Sequence, residues 1–336
     1  MPTFTPPEFW HQLPPALTAR ALVPLAAIYG AITARRMQRK GTSLPCPVIC
    51  IGNFTVGGTG KTPMVQLLAR QLLAQGYHPF ILSRGFGGAG QRWPVRVDPV
   101  NHGAAEVGDE PLLLAQTAPV IVCADRLAGG RLALSQGADV LLMDDGLQNP
   151  ALAKSLSIAM VAGQTGFGNG LCLPAGPLRA PLPAQWPQVA ALVIVGQGAA
   201  GDQAGLAAEG VGKPVFRARL VPDPVLARQL AGQKVLAFAG IGRPAKFFET
   251  LESVGANLVK SHSFADHHVY TAAEIRQLQD QAMACDALLV TTEKDLMRTG
   301  RWQGAVQPLA LPVALVLEAP EALAQLVNAA LGKRLL

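Results

Sequence analysis

The chain has 336 residues, half of them hydrophobic and only 15% charged, which excludes a disordered protein and suits two packed α/β domains of roughly 100–200 residues each. Its net charge of +6 is uneven: no acidic residue lies between Glu8 and Asp98, while Arg20, Arg35, Arg36, Arg39, Lys40, Lys61, Arg70, Arg84, Arg92 and Arg96 do, and such a one-sign segment attracts phosphates, anionic lipid or nucleic acid. Cys46, Cys50, Cys123, Cys172 and Cys285 contain no C-x-x-C pair, which speaks against a zinc site or disulfide framework and for reduced thiols.

The first element is the apolar run "ALVPLAAIYGAI" (21–32), followed directly by "TARRMQRKG". A membrane-spanning helix needs about 20 apolar residues, and this run is shorter and contains Pro24. The segment does not read as a convincing signal peptide either, because the basic cluster follows the apolar run and Met1–Trp10 carries Glu8 without lysine or arginine. Two readings stay open: an interfacial helix on an anionic leaflet, favoured by the nearby Phe4, Phe9 and Trp10, or a helix packed on its own domain.

Next, "PVICIGN" (47–53) is a buried strand, and "TPMVQLLARQLLAQG" (62–76) has helical spacing at Val65, Leu68, Leu72 and Leu73 with a stop at Gly76. Between them lies "FTVGGTGK". A strict phosphate-binding loop reads G-x-x-x-x-G-K-[ST], which requires glycine at position 55, where this chain has Thr55. The strand–loop–helix context nevertheless favours phosphate binding. Small residues let successive backbone N–H groups face phosphate oxygens, Lys61 can reach the terminal phosphates, and the Thr62 hydroxyl suits Mg²⁺.

"HPFILSRGFGG", "APVIVCADR", "ADVLLMDDG", "LSIAMVAG" and "VAALVIVGQG" supply five more strands without period-two alternation, as in a parallel sheet covered on both faces. "VGDEP" places Asp109 and Glu110 just before a helix. Asp144 and Asp145, at the end of an apolar strand, suit a Mg²⁺ site, since adjacent carboxylates need a cation or donors between them. Residues 199–214 are rich in Gly and Ala, and "FRARLVPDP" (216–224) reads as a linker or ribbon. A second α/β unit begins at "QKVLAFAGIGRP" (233–244). Thr271 and Glu274 form a capping box, which leaves Asp266, His267 and His268 on the loop entering that helix. In "TTEKD" (291–295) the register of a guanine-specificity element fails, which disfavours a switch GTPase.

Taken together, "IGNFTVGGTGKTP", "SRGFGG", "VGDEP", "DDGLQ", "GFGNGLCLPAGPLR", "AFAGIGRPAKFF", "FADHH" and "TTEKD" resemble the tetraacyldisaccharide 4'-kinase family of lipid A biosynthesis, in family order over most of the chain. The resemblance implies an ATP- and Mg²⁺-dependent enzyme that phosphorylates the 4'-hydroxyl of a lipid A disaccharide 1-phosphate. It would act peripherally at the cytoplasmic face of a Gram-negative inner membrane, as a monomer and without a nucleic-acid partner. The implied fold is α/β: two α/β/α domains, the first a phosphate-loop NTPase-type, mostly parallel sheet, joined by a short linker or ribbon and preceded by an amphipathic helix. The corresponding boundaries are 1–40 for the membrane-associating helix, 41–214 for the kinase domain, 215–232 for the linker and 233–336 for the second domain.

Carried over by motif, Thr55, Val56, Gly57, Gly58, Thr59, Gly60, Lys61 and Thr62 wrap the ATP phosphates, and the family itself has Thr at the position of Thr55. Asp109 is the implied catalytic base with His267 as its partner and His268 as the alternative; Glu110 is a possible metal partner. Thr62, Asp144 and Asp145 belong to the metal and phosphate network, with either aspartate as the direct ligand. Arg179 and Arg84 are anion contacts, one on the nucleotide side and one toward the acceptor's phosphate. Two departures stand out: Asn149 where the family commonly has His, and Ala180 where it commonly has Glu.

Overall fold

The computed structural model describes residues 6–85, 87–89, 93–300 and 306–332; Phe4 and Arg92, which entered the expectations above, lie outside them. The strands are β1 (Val48–Asn53), β2 (Pro79–Ser83), β3 (Val95–Arg96), β4 (Val120–Val122), β5 (Val140–Asp144), β6 (Leu156–Ala162), β7 (Ala191–Val195) and β8 (Val215–Pro222). They continue with β9 (Lys234–Ala239), β10 (Asn257–Ser263), β11 (Leu288–Thr292), β12 (Leu309–Leu311) and β13 (Val313–Leu317).

Among the described residues these strands form two sheets. The larger runs β13-β8-β7-β6-β1-β5-β2-β4-β3 and the smaller runs β10-β9-β11-β12. All pairings are parallel except those of the two edge strands of the larger sheet, β3 with β4 and β13 with β8. Strands β1, β2, β4, β5, β6 and β7 are buried along their whole length, which explains their continuous Val/Ile/Leu/Ala composition. One core face joins β1, β5 and β6 to the helix Lys61–Ala74 through Met64, Val65, Leu68 and Leu72; the other is built around Phe54, Leu141, Met143 and Trp186.

The larger sheet extends beyond the expected domain boundaries. The segment expected as a linker contains β8, which pairs parallel with β7, and the chain returns at its end with β13 antiparallel to β8. Leu315 and Leu317 of β13, with Leu323, Val327 and Leu331 of the helix Pro320–Gly332, join the same apolar cluster as Met64 and Leu68. The correction to 215–232 and 233–336 has a plain cause. Without β13 and its helix, β8 would leave an open edge and the outer face of Lys61–Ala74 would lose apolar cover. The two crossings between the sheets meet where Asp223 N donates to Pro312 O at 2.9 Å.

The N-terminal helix packs on the domain through one face and leaves another exposed. In the helix Val23–Met37, Ala26, Gly30 and Met37 are buried, and a Cβ on Gly30 would lie 3.2 Å from Pro181. Leu25, Ile28 and Ile32, on another face, are 57%, 60% and 64% exposed. Trp10 does not support the membrane reading: it is buried, and its Nε1 donates to Pro174 O at 2.9 Å. None of the described helices is long and apolar enough to cross a membrane.

Candidate active site

Parallel sheets place their chemistry at the carboxyl ends of strands, where loops and helix N-termini converge. Strand β1 lies between β6 and β5, and its carboxyl end runs into the glycine-rich loop and the helix Lys61–Ala74. Gly57 and Gly60 have φ of 112° and 83°, conformations that L side chains rarely adopt. A Cβ added at Gly57 or Gly58 would meet nothing within 4 Å, so that backbone borders open space.

The missing glycine at position 55 has a structural reason. Thr55 is buried and forms an isolated antiparallel bridge with Leu178. Around it Val56 N donates to Pro177 O at 2.9 Å, and Arg179 N donates to Phe54 O at 2.8 Å. Extended backbone locked in a bridge does not need glycine. The "LPAGPLR" segment thus braces the loop, and Arg179 Nε donates to Thr55 O at 3.1 Å.

Asp144 and Asp145, adjacent in sequence, have different surroundings. Asp144 ends β5 beside Ile51 of β1. It is buried, and among the described residues its side chain accepts one long hydrogen bond, from Ser83 Oγ at 3.5 Å to Oδ2, while Oδ1 has no partner. Burial, reinforced by the charges of Glu110 and Asp145, pushes its pKa up to about 7. Asp145, at φ 52°, points at cations: Arg179 Nη1 at 2.8 Å and Lys61 Nζ at 3.8 Å from its Oδ1. Burial opposes its ionisation, but Lys61 and Arg179 outweigh that and hold its pKa below the usual value.

The smaller sheet presents its own carboxyl ends here. Asp109 opens the helix Asp109–Ala115 in the larger domain, yet its partners come from the second unit. Arg298 Nε donates to Asp109 Oδ2 at 2.7 Å and Arg298 Nη2 donates to the same oxygen. His267 Nδ1 lies 3.5 Å from that oxygen and 3.3 Å from Arg298 Nη2. Nδ1 therefore sits between a donor and an acceptor: protonated it donates to Asp109, and unprotonated it accepts from Arg298. Burial alone would raise the Asp109 pKa. The bond from His267 and the charges of Arg298 and Lys294 outweigh it and hold the carboxyl well below the usual range. The bond to Asp109 in turn raises the pKa of His267. Beside this group Lys294 Nζ donates to Glu110 Oε1, which lowers the Glu110 pKa.

The sequence-predicted residues are thus brought together. Lys61 bears electrostatically on Glu110 and Asp144, and Lys294 bears on Asp109 and Asp144, so the loop, the acidic strand end and the Asp109–His267 pair form one neighbourhood. Between the two histidines the geometry is unequal. His268 stacks on Phe264 with ring centroids 4.8 Å apart, and its Nε2 lies 3.1 Å from Glu274 Oε1 of the capping box. Arg84 is exposed just past β2. The two departures from the family pattern are structural: Asn149 Oδ1 accepts from Ala151 N at 2.9 Å, and Ala180 is fully buried with its carbonyl accepting from Gln185 Nε2. Sequence reasoning missed Arg298 and gave Lys294 no role, although both lie in or just past the "TTEKD" string.

The Asp144 surroundings make a pH prediction. Its folded-state pKa lies above the ordinary value, so the folded protein holds a proton that the unfolded chain releases. Its contribution to stability is present in acid and is lost as pH rises toward 7. His267, with its raised pKa, acts in the same direction. The metal-free protein is expected to lose melting temperature between about pH 5.5 and pH 8, and Asp144→Asn to flatten that slope by a few degrees in thermal melts. An unchanged slope in the variant would show that Asp144 is already ionised at pH 5.5.

Comparison with known proteins gives concordant results. The family described as Tetraacyldisaccharide-1-P 4'-kinase matches residues 18–332. The chain is 54% identical over 329 residues to the tetraacyldisaccharide 4'-kinase of Methylobacterium radiotolerans, covering 97% of this chain and 99% of that one. It is 56% identical over 295 residues to the protein of the same name from Methylorubrum extorquens, covering 87% and 89% of the two chains. Among solved structures it resembles the "apo" form of LpxK from Aquifex aeolicus in complex with ATP, with a TM-score of 0.73 and 28% identity over 94% of this chain and 100% of that one.

Proposed function

The chain belongs to the tetraacyldisaccharide 4'-kinase family, and from that premise we propose that it transfers the γ-phosphoryl group of ATP to the 4'-hydroxyl of a tetraacyldisaccharide 1-phosphate. The observation that carries this reading is the convergence of a braced phosphate loop with the buried Asp109, which opens a helix of the larger unit, and the half-buried His267 on a loop of the smaller one. A nucleotide hydrolase acting only as a switch needs no such pair.

In this reading the backbone of Gly57–Gly60 holds the phosphates, since Thr55 and Val56 are already engaged by the Leu178 bridge and Pro177 O, and the buried hydroxyl of Thr59, without a hydrogen-bond partner among the described residues, finds an acceptor there. Lys61 neutralises charge on the transferred group, while Asp145 and Arg179 fix its position. Asp109 removes the proton of the acceptor hydroxyl. A carboxylate of lowered pKa is a weak base, but a loose phosphoryl transition state needs proton removal only late in the transfer. His267 takes up or releases positive charge beside that carboxylate.

The residues fit a magnesium ion. Asp144 offers a buried carboxylate oxygen without a donor among the described residues, and Thr62 is buried in the first turn after the loop. Mg²⁺ takes one or two carboxylates and completes its shell with water and substrate phosphate, so no cluster of protein ligands is required; among the described residues none of three or more His, Cys, Asp or Glu occurs. The ion would supply charge neutralisation on the terminal phosphates. Asp144 is the better ligand of the two aspartates, because Asp145 already faces Lys61 and Arg179, and Glu110 is likewise taken by Lys294.

The test is transfer of label from ATP to a detergent-solubilised disaccharide 1-phosphate. Labelled lipid is expected; its absence from folded, ATP-binding protein would overturn the reading. All proposed site residues lie in one chain, so a monomer suffices.

We also infer peripheral attachment to an anionic leaflet through Leu25, Ile28 and Ile32, with Arg35 and Arg36 toward the end of the same helix. Each such side chain contributes up to roughly 1.5–3 kcal/mol when fully removed from water. Deleting 1–40 would also remove the packing of Trp10 and Gly30, so the informative variant replaces Leu25, Ile28 and Ile32 together by serine. It is expected to shift from vesicles of anionic lipid to the supernatant with catalysis on dispersed substrate retained. Unchanged sedimentation would return the helix to a purely packing role.

A further inference from the structure

Arg298 is the most heavily engaged cation of the site. Its side chain is 4% exposed. Nη1 donates to Gly240 O and to Asp295 Oδ1, the latter at 3.0 Å; Nε and Nη2 both donate to Asp109 Oδ2. Asp295 is itself fixed from four sides: it accepts from Gly240 N at 3.0 Å, Tyr270 Oη at 2.9 Å and Thr292 Oγ1 at 2.6 Å as well as from Arg298. The backbone of the β9 turn, the capped helix Glu293–Arg298 and the loop before Tyr270 thus converge on one guanidinium. Its free end grips a carboxylate more than 180 residues away in the chain.

The grip is one-sided. Both nitrogens bind Oδ2, and His267 Nδ1 approaches the same oxygen. Asp109 Oδ1 accepts no hydrogen bond from any described residue. A free carboxylate rotates and offers either oxygen, whereas one held by two donors on a single oxygen has its second oxygen aimed in a fixed direction. Lysine cannot reproduce that hold, because its ammonium is a point charge without a planar fork.

We propose that Arg298 is the positioning residue of the phosphoryl transfer: by pinning Oδ2 of Asp109 it leaves Oδ1 as the oxygen that takes the proton from the acceptor hydroxyl. The inference rests on Asp109 acting as the base. The balance is simple. The hydroxyl oxygen forms its bond to the γ-phosphorus, the bond from that phosphorus to the bridging oxygen of ADP breaks, and the hydroxyl proton passes to Oδ1. Arg298 itself exchanges no proton.

The experiment is a double-mutant cycle on the full-length enzyme, with turnover measured for wild type, Arg298→Met, Asp109→Asn and the double variant, and KM for ATP measured alongside. Arg298→Met is expected to lower kcat about 10²-fold with KM for ATP changed less than about threefold, and to lose less than about threefold further once Asp109 is already asparagine. Arg298→Lys is expected to recover less than about tenfold, and it serves as the second variant should the methionine substitution impair folding. Independent losses in the two single variants that multiply in the double variant would overturn the proposal, placing Arg298 on the transferred phosphate or in the fold. Full activity of Arg298→Met would also overturn it. If Asp109→Asn is fully active, the assignment of the base fails first, and that outcome is distinct because it appears in the Asp109 variant alone.

Discussion

Asp109→Asn is expected to lower the turnover of lipid phosphorylation by about 10²–10⁴-fold, the usual contribution of a positioned general base. ATP affinity should change little, since the partners of Asp109 are Arg298 and His267 rather than the loop. Asparagine is the informative replacement. Alanine would strand the buried Arg298 guanidinium next to an empty space, and breaking a buried ion pair by removing one partner costs about 3–5 kcal/mol, so lost activity could then reflect lost structure. Asparagine keeps shape and one acceptor oxygen while removing the charge and the basicity. Equilibrium binding of a non-hydrolysable ATP analogue separates the outcomes. If affinity collapses in the variant while the fold survives, Asp109 is a nucleotide ligand and the base lies elsewhere.

The second large effect belongs to Lys61. Lys61→Met should reduce turnover by about 10²–10³-fold, the loss expected when one preorganised charge on a developing anion is removed. Unlike Asp109→Asn, it should also weaken ATP binding, because the ammonium faces phosphate in the ground state as well as in transfer. A side effect sharpens the test. Lys61 and Arg179 together hold the Asp145 pKa down against burial. With Lys61 gone, Asp145 keeps the Arg179 bond at 2.8 Å and the charge of Arg126. Lys61→Met paired with Asp145→Asn should then lose less than the sum of the two single losses, since the variants share one contact. Strict additivity would mean that the 3.8 Å approach of Lys61 to Asp145 has no energetic content.

How much of this was legible in the sequence follows from how local each feature is. The loop and its helix were readable because strand, small residues, lysine and helix are contiguous, and the buried parallel strands announced themselves by unbroken apolar runs. Thr55 was legible only as an irregularity, because the bridge that excuses it comes from Leu178, far along the chain. Asp109 and His267 emerged through a family resemblance; nothing in "VGDEP" or "FADHH" alone says that the two side chains meet. Arg298 left no signal, being one arginine at the end of a short helix whose function is set by a carboxylate in the other sheet. Strand β8 reads as a linker or ribbon in the sequence because its half-exposed pattern is that of a strand near a sheet edge, and β13 is not legible there because the antiparallel partner that defines it lies in the segment 215–222.

The return of the chain through β13 bears on how the two units can move. The smaller sheet is tethered twice, at Asp223 and at Pro312, and the two tethers are hydrogen-bonded to each other. A single linker would permit swing, twist and translation alike; two adjacent tethers act as a door hinge and leave mainly rotation about the line through them. Any opening of the smaller sheet would then carry Arg298 and His267 along a narrow arc past Asp109 rather than through a volume, and would keep their effective concentration at the carboxylate high. Severing one tether, by a nick near residue 312 that leaves both sheets folded, would free the motion without touching any catalytic atom.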